Sequence, residues 1–259
     1  MKNAMIGLLG VYISLVGFQV LADGNPVPVK NIVIVHGAFS DGSGWEDVTS
    51  ILTKDGYNVT LVKNPLTSLD ADVAATQSAL AKQDGPVVLV GHSYGGAVIT
   101  QAGNDPKVKS LVYVAAYLPD AGESVGDLLA AADKSVPAPP IIIYGEKGIA
   151  FVDPTQFPDA FAADVLKTDP TKVKLMAATQ LPLGLPAVGT KLTAAAWKTK
   201  PSYYIVSSED HMIPPADERG FATKAKAVQQ LEISGASHAV FISHPAEVAN
   251  MIEQAATSK

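Results

Sequence analysis

A serine with glycines two residues to either side closes an apolar run. PVVLV leads directly into Gly91-His92-Ser93-Tyr94-Gly95-Gly96. The spacing G-x-S-x-G suits a serine nucleophile when a strand precedes it and a helix follows. The glycines answer a steric demand. The serine sits on a turn so tight that a larger residue two before it or two after it would meet the flanking strand or helix. Such a turn lifts the hydroxyl above the edge of a sheet. It also aims the free N–H groups of the following helix at any oxyanion formed there.

A serine hydroxyl needs a base, and the chain has five histidines: His36, His92, His211, His238 and His244. His92 is adjacent to Ser93, but consecutive side chains on a tight turn diverge, so a packing or hydrogen-bonding role under the turn is expected for it. Triad members meet in space rather than in sequence, and the base of a Ser…Asp…His order lies in a loop after the last strand. His238, in SGASHAVFISHP, follows Ser234-Gly235 in such a loop. His244 precedes Pro245 and stands three residues before Glu247, a helix N-cap position, and reads as structural. The carboxylate that orients the base is sought at a strand end, where SYYIVSSEDHMIPP offers Asp210, with Glu209 and Asp217 as alternatives. The oxyanion donors expected are the backbone N–H of Tyr94, directly after the nucleophile, and that of Ala38 in the loop His36-Gly37-Ala38-Phe39. Gly37 allows that loop to approach closely.

These residues need elements to hold them. NIVIV (31–35) is a short apolar run that reads as a buried strand, and NVTLV (58–62), VVLV (87–90), VKSLVYV (108–114), SYYIVS (202–207) and VQQLEIS (228–234) read as further strands. Helical patterns alternate with them. One starts at Ser43 and Glu46, which have capping-box spacing. A second runs from Thr67 to Gln83 with Val73, Gln77, Leu80 and Ala81 on one face. Others cover residues 95–103 and 217–226, and the last places Val248, Met251, Ile252 and Ala255 on its inner face. Repeated strand–helix units of this kind predict an α/β fold with a parallel sheet covered on both faces. The rhythm breaks over residues 119–199, a proline-rich stretch with a hairpin predicted in IIIYGEKGIAFV (141–152) and a helix near 171–179. This much proline in about 80 residues would not easily build its own core, so the stretch is read as an inserted cap on a core of residues 23–118 and 200–259.

Composition sets bounds. The 259 residues are 47% hydrophobic and 17% charged, with a formal net charge of -6 and no cysteine. An acidic chain without a basic cluster argues against nucleic-acid binding. The lack of cysteine excludes disulfides, thiolate metal sites and a cysteine nucleophile. Lys2, the apolar stretch from about Ala4 to Leu21 and the small residues Val20 and Ala22 predict a cleaved signal peptide over residues 1–22, and hence a secreted or periplasmic protein with no stable membrane insertion after cleavage. An uncleaved membrane anchor is the alternative. The sequence does not fix the oligomeric state, a homodimer included.

VHGAFSDGSGW, GHSYGG, SSEDHMIPP and GASHAVFISHP together resemble the α/β-hydrolase superfamily. The resemblance is to its branch of plant methylesterases, hydroxynitrile lyases and related bacterial serine esterases, and covers about residues 31–118 and 200–256. It implies a mainly parallel eight-stranded sheet, a helical cap and no metal or organic cofactor. It also implies a serine carboxylic-ester hydrolase acting on a small, largely apolar ester, with Ser93, His238 and Asp210 as triad and an acyl-enzyme intermediate. The lyases of the branch carry threonine where Gly37 stands and lysine where Ala239 stands, and the related dehalogenases need aspartate in place of Ser93. These departures favour ester hydrolysis. Substrate-pocket candidates are Phe39 and, in the cap, Phe151, Phe157, Phe161, Met176, Leu181 and Leu183, with the cap's own core as the other reading of the cap residues. An acyltransferase, amidase or lactonase with the same triad stays open, as does a ligand-binding receptor on the fold.

Overall fold

The computed structural model describes residues 29–145 and 148–258. The signal peptide predicted over residues 1–22 lies outside them. Among the described residues, no helix is long and apolar enough to cross a membrane.

The apolar runs form strands where predicted. In chain order the first half comprises β1 (Asn31–Val35), α1 (Glu46–Lys54), β2 (Asn58–Val62), α2 (Leu69–Ala81), β3 (Val87–Ser93), α3 (Gly95–Ala102) and β4 (Val108–Ala116). A long excursion follows, with α4 (Val125–Ala131), β5 (Ile141–Tyr144), β6 (Ile149–Val152), α5 (Phe157–Phe161), α6 (Ala163–Thr168), α7 (Pro170–Ala178), β7 (Leu183–Gly184) and α8 (Leu185–Gly189). The chain then returns through β8 (Ser202–Ser207), α9 (Pro215–Lys224), β9 (Gln229–Ile233), α10 (Val240–Ser243) and α11 (Pro245–Thr257).

Six strands make one sheet in the order β2-β1-β3-β4-β8-β9, all parallel. Every residue of β1 and β3 is buried, while the edge strands β2 and β9 are partly exposed. Strands buried on both faces carry no polar alternation, which is why they read as continuous apolar runs. Helices α1 and α11 pack on each other, as do α2 and α3. The chain runs from β1 outward to β2, then crosses back to place β3 on the other side of β1. The loops leaving β1 and β3 therefore diverge at the carboxyl edge of the sheet and open a crevice between them.

The excursion between β4 and β8 is more than helical. Its β-branched runs pair into a three-stranded antiparallel sheet, β5-β6-β7, with Ile141 opposite Val152 and Tyr144 opposite Ile149. Its buried residues, Phe157, Phe161 and Val173 among them, belong to the same hydrophobic cluster as the sheet.

Three sequence-based expectations are corrected. The resemblance implied eight strands in the main sheet, whereas the described residues supply six. The capping box at Ser43 and Glu46 does not form. Asp41 Oδ1 accepts the Ser43 N–H at 2.9 Å and Gly42 is left-handed (φ 87°), so Ser43–Trp45 winds as a tight 3₁₀ turn and α1 starts three residues later without a side-chain cap. On α2 the buried face is Leu69, Asp72, Val73, Thr76 and Leu80, and Gln77 and Ala81 face solvent. Two polar residues occupy that face because both are hydrogen-bonded there, Thr76 to the Asp72 carbonyl at 3.0 Å and Asp72 to groups described below.

Candidate active site

The sheet's carboxyl edge carries Ser93 at the end of β3, with Tyr94 opening α3. Ser93 has φ 53°, a left-handed conformation that costs a non-glycine residue about 1–3 kcal/mol. Its neighbours explain how it is held. A Cβ at Gly91 would lie 2.6 Å from the Gly95 carbonyl oxygen, so strand and helix touch through bare backbone. Across from the turn, β4 bulges at Ala115 (φ 44°), shifting the register from His92↔Val114 to Ser93↔Ala116. The Tyr204 hydroxyl fills that bulge, bonding both the N–H and the carbonyl of Ala116, and the Tyr117 N–H donates to the Ser93 carbonyl at 3.1 Å.

Asp210 and His238 come together from the loops after β8 and β9. Both are wholly buried, and His238 Nδ1–H donates to Asp210 Oδ2 at 2.6 Å. The other carboxylate oxygen, Oδ1, accepts the N–H groups of Met212 at 2.6 Å and Ile213 at 2.8 Å. The bend after Asp210 exists to make those two bonds, and they fix which oxygen faces the histidine. His238 Nε2 is buried and bonds to no protein group among the described residues. The His238 ring lies 4.6 Å from that of His92, and the edge of Phe161 closes over it at 4.8 Å. The excursion also ties down this loop: Ala239 N–H donates to the Phe161 carbonyl at 3.0 Å, and the Ser237 hydroxyl bonds Asp164 of α6.

The remaining histidines have other partners. His92 donates from Nε2 to the His238 carbonyl at 3.0 Å and packs against Phe241. Burial, and then the adjacent His238, hold it well below the usual histidine range, so it is neutral. His36 donates from Nδ1 to the Gly37 carbonyl at 2.8 Å and accepts the Asn64 N–H at Nε2, which fixes the loop after β1. His244 stands at the N-cap position of α11, with its side chain on the Ser243 hydroxyl at 2.9 Å rather than on a helix N–H, and exposed His211 bonds the Asp159 carbonyl. Of the alternative acids, Glu209 is exposed and Asp217 accepts the Asp133 N–H at 3.0 Å.

Ala38 and Tyr94, from the loops on either side of the crevice, are both buried. Neither backbone N–H donates to a protein acceptor among the described residues. Backbone donors of buried residues are ordinarily satisfied, so two such N–H groups without a protein partner at one chamber stand out. Gly37 brings the first of them close, for a Cβ there would lie 2.8 Å from both the Ser93 Cβ and the His92 Nδ1.

Ser93, Ala38, Phe39 and Tyr94 floor a chamber of about 250 Å³. Its walls are Tyr117 and Met212 from the sheet edge, Val125 and Leu129 of α4, Ile141 and Ile143 of β5, Ala150 of β6, and Leu183, Leu185 and Val188 around β7 and α8. No charged side chain lines it. Phe39 and Leu183 are where the sequence suggested, and the other five cap candidates are not. Strand alternation sends Ala150 inward and Phe151 to the opposite face, where it meets Tyr144 edge-on at 5.9 Å. Phe157 and Phe161 stack on each other at 4.8 Å in the interior. Together with Met176 they border a separate cleft of about 20 Å³, barely the space of one water. Leu181 packs at the margin of the hydrophobic cluster. The hairpin expected over 141–152 is what brings Ile141, Ile143 and Ala150 to this wall.

Glu218 of α9 was missed altogether. It is wholly buried near Asp210 and accepts the Ser207 N–H at 3.1 Å. Burial first, and then the Asp210 carboxylate, push Glu218 well above the usual carboxylate range, against a smaller opposing pull from Arg219. Glu218 takes one donor, from Ser207, and burial favours its protonated form. A raised folded-state value means that Glu218's contribution to stability is fully present below its unfolded value near 4.5 and is lost as pH rises toward the folded value. Glu218→Gln keeps the shape of the side chain but cannot titrate. Urea unfolding from pH 5 to 8 is therefore expected to show the variant gaining on the parent chain by up to about 1.4 kcal/mol per pH unit. A difference that does not change with pH would refute the raised Glu218 carboxyl.

Comparison with known proteins agrees with this fold. A model described as the alpha/beta hydrolase family matches residues 32–251. A carbendazim hydrolyzing esterase of Nocardioides sp. (strain SG-4G) is 34% identical over 115 residues, which are 39% of this chain and 48% of that protein. The putative methylesterase 19 of Arabidopsis thaliana is 25% identical over 250 residues, covering 86% of this chain and 96% of its own length. The crystal structure of polyneuridine aldehyde esterase superposes with a TM-score of 0.73 at 20% identity, covering 86% of this chain and 98% of that one.

Proposed function

The chain belongs to the alpha/beta hydrolase family and is a hydrolase; on that premise we propose that it cleaves small, largely apolar, uncharged carboxylic esters with Ser93 as nucleophile, His238 as base and Asp210 as its orienting acid. The observation that carries the reading is His238 itself. Its Nδ1–H is committed to Asp210, which leaves Nε2 in the acceptor form, buried and without a protein partner.

The chemistry follows from that tautomer. Nε2 takes the Ser93 proton as Oγ attacks the ester carbonyl, and the new imidazolium is stabilised by Asp210. Negative charge collects on the former carbonyl oxygen, where the Ala38 and Tyr94 N–H groups receive it without having to break existing bonds. Collapse of the tetrahedral adduct expels the alcohol with the proton from His238. Water, deprotonated by the same histidine, then releases the acid from the acyl-serine. Cyanohydrin cleavage fits less well. A threonine at position 37 would have its Cβ against Ser93, and the position after His238 is Ala239, buried and uncharged.

The chamber sets the substrate. At about 250 Å³ it falls below the range typical of drug-sized ligands, and its walls offer nothing to pair with a charge. Among 4-nitrophenyl esters, acetate and butyrate are therefore expected to be cleaved readily, and the negatively charged hemisuccinate slower by about tenfold or more in kcat/KM. Equal rates for the charged and neutral esters would contradict the assigned chamber. The names of the relatives, an esterase acting on carbendazim and a methylesterase, support the same reaction class.

A further inference from the structure

Asp72 is a buried carboxylate to which the chemistry above gives no task. It sits one turn into α2, wholly inaccessible, and no lysine, arginine or histidine pairs with it among the described residues. Burying a carboxylate is costly unless hydrogen bonds hold it, and a position needed only for packing would be filled more cheaply by an apolar residue. Asp72 uses both of its oxygens. Oδ2 accepts the Tyr94 hydroxyl at 2.7 Å, and Oδ1 accepts the Leu66 N–H at 2.7 Å.

Both partners lead to the proposed site. Tyr94 follows the strained Ser93 and begins α3 with φ -52° and ψ -33°. The hydroxyl bond to Asp72 anchors the side chain of the residue that carries the candidate oxyanion N–H. Leu66 is itself left-handed, with φ 57°, and its carbonyl accepts the Gly184 N–H at 2.8 Å. Gly184 is the neighbour of Leu183 in the chamber wall, and a Cβ on it would lie 2.7 Å from the Thr67 carbonyl oxygen. One carboxylate thus joins the elbow, the loop before α2 and the wall strand β7.

We propose that Asp72 is a positioning residue for the oxyanion site, its carboxylate clamping the Tyr94 side chain so that the Tyr94 N–H stays aimed where negative charge develops on the substrate. The proposal rests on the reading of Ser93 as nucleophile. Burial, followed by the Asp72 carboxylate, raises the Tyr94 hydroxyl above its ordinary range, so it remains a donor at any working pH. An asparagine at position 72 can still accept the Leu66 N–H, but then presents an NH₂ to the tyrosine and breaks the clamp.

The test is a cycle of Asp72→Asn, Tyr94→Phe and the double variant. It is read by 4-nitrophenyl acetate hydrolysis and by inhibition with a trifluoromethyl ketone, whose serine adduct carries the same oxyanion. Each single variant is expected to lose about tenfold to a hundredfold in kcat with KM little changed. The inhibitor's Ki should weaken by the same factor. Because Asp72 acts through Tyr94, Asp72→Asn should cost nothing further in the Tyr94→Phe background. Unchanged kcat and Ki in folded variants would overturn the proposal, as would losses that multiply in the double variant. If Asp72→Asn does not fold, Tyr94→Phe decides alone, since it removes the same clamp from the other side. Undiminished hydrolysis by Ser93→Ala, measured in parallel, would instead signal failure of the nucleophile reading.

Discussion

Alanine at Ser93 or at His238 is expected to lower kcat for a 4-nitrophenyl ester by on the order of 10⁵-fold or more, and alanine at both should be no worse than either alone. The non-additivity is the informative part. Nucleophile and base act in one proton-coupled step, so removing either removes the step, and a second removal has nothing left to take. What survives in each variant is the contribution of the chamber and of the Ala38 and Tyr94 N–H groups. KM should therefore move far less than kcat. Two losses that multiplied would mean that Ser93 and His238 serve different steps. Retention of most activity by His238→Ala would return the search for the base to His92, the nearest other imidazole.

The second large effect is expected at Asp210. Asp210→Asn should lower kcat by on the order of 10⁴-fold while leaving the fold intact. The direction follows from the loop after β8. The Met212 and Ile213 N–H groups both point at Oδ1, so the amide oxygen of an asparagine must stay there to receive them. The NH₂ is then forced into the place of Oδ2, facing His238 Nδ1. A donor at that point demands an acceptor at Nδ1, which moves the imidazole proton to Nε2, the atom that should take the proton of Ser93. The loss should shrink as pH rises far enough for hydroxide to replace the base. Glu218→Gln is the natural contrast, because it alters the same buried pair but leaves the tautomer untouched. Near-normal activity in Asp210→Asn would place the acid elsewhere, and both alternatives on this loop are poorly placed: Glu209 is exposed and Asp217 is bonded to the Asp133 N–H.

Features whose physics is local were readable in the chain. The glycines around Ser93, the strand before it and the order Ser93, Asp210, His238 each follow from a turn or a strand end, and turns leave compositional marks. The parallel sheet was readable because β1 and β3 are apolar on both faces. What could not be read depends on distant segments meeting. Asp72 resembles any solvated acid near a helix start until Tyr94 and Leu66 are brought to it. Glu218 looks like part of an exposed charged turn, although it lies behind Asp210. Large aromatic residues in the cap suggested a pocket by size alone. Phe157 is instead buried in the core shared with the sheet and Phe161 packs edge-on against His238 outside the chamber, which is lined in part by smaller residues of a hairpin whose inward face follows from strand alternation. The start of α1 was misplaced because an Asp41-Gly42 turn competed with the capping box and won.

The most direct measurement is fluorophosphonate labelling of the purified protein with peptide mapping, run beside His92→Ala and His238→Ala. A phosphonyl adduct on Ser93 that persists in the His92 variant and is lost in the His238 variant is the predicted result, because only His238 has its outer nitrogen free and its inner one held by a carboxylate. No adduct on Ser93 in the unsubstituted protein, or an adduct that survives without His238, would contradict an activated serine served by a remote base.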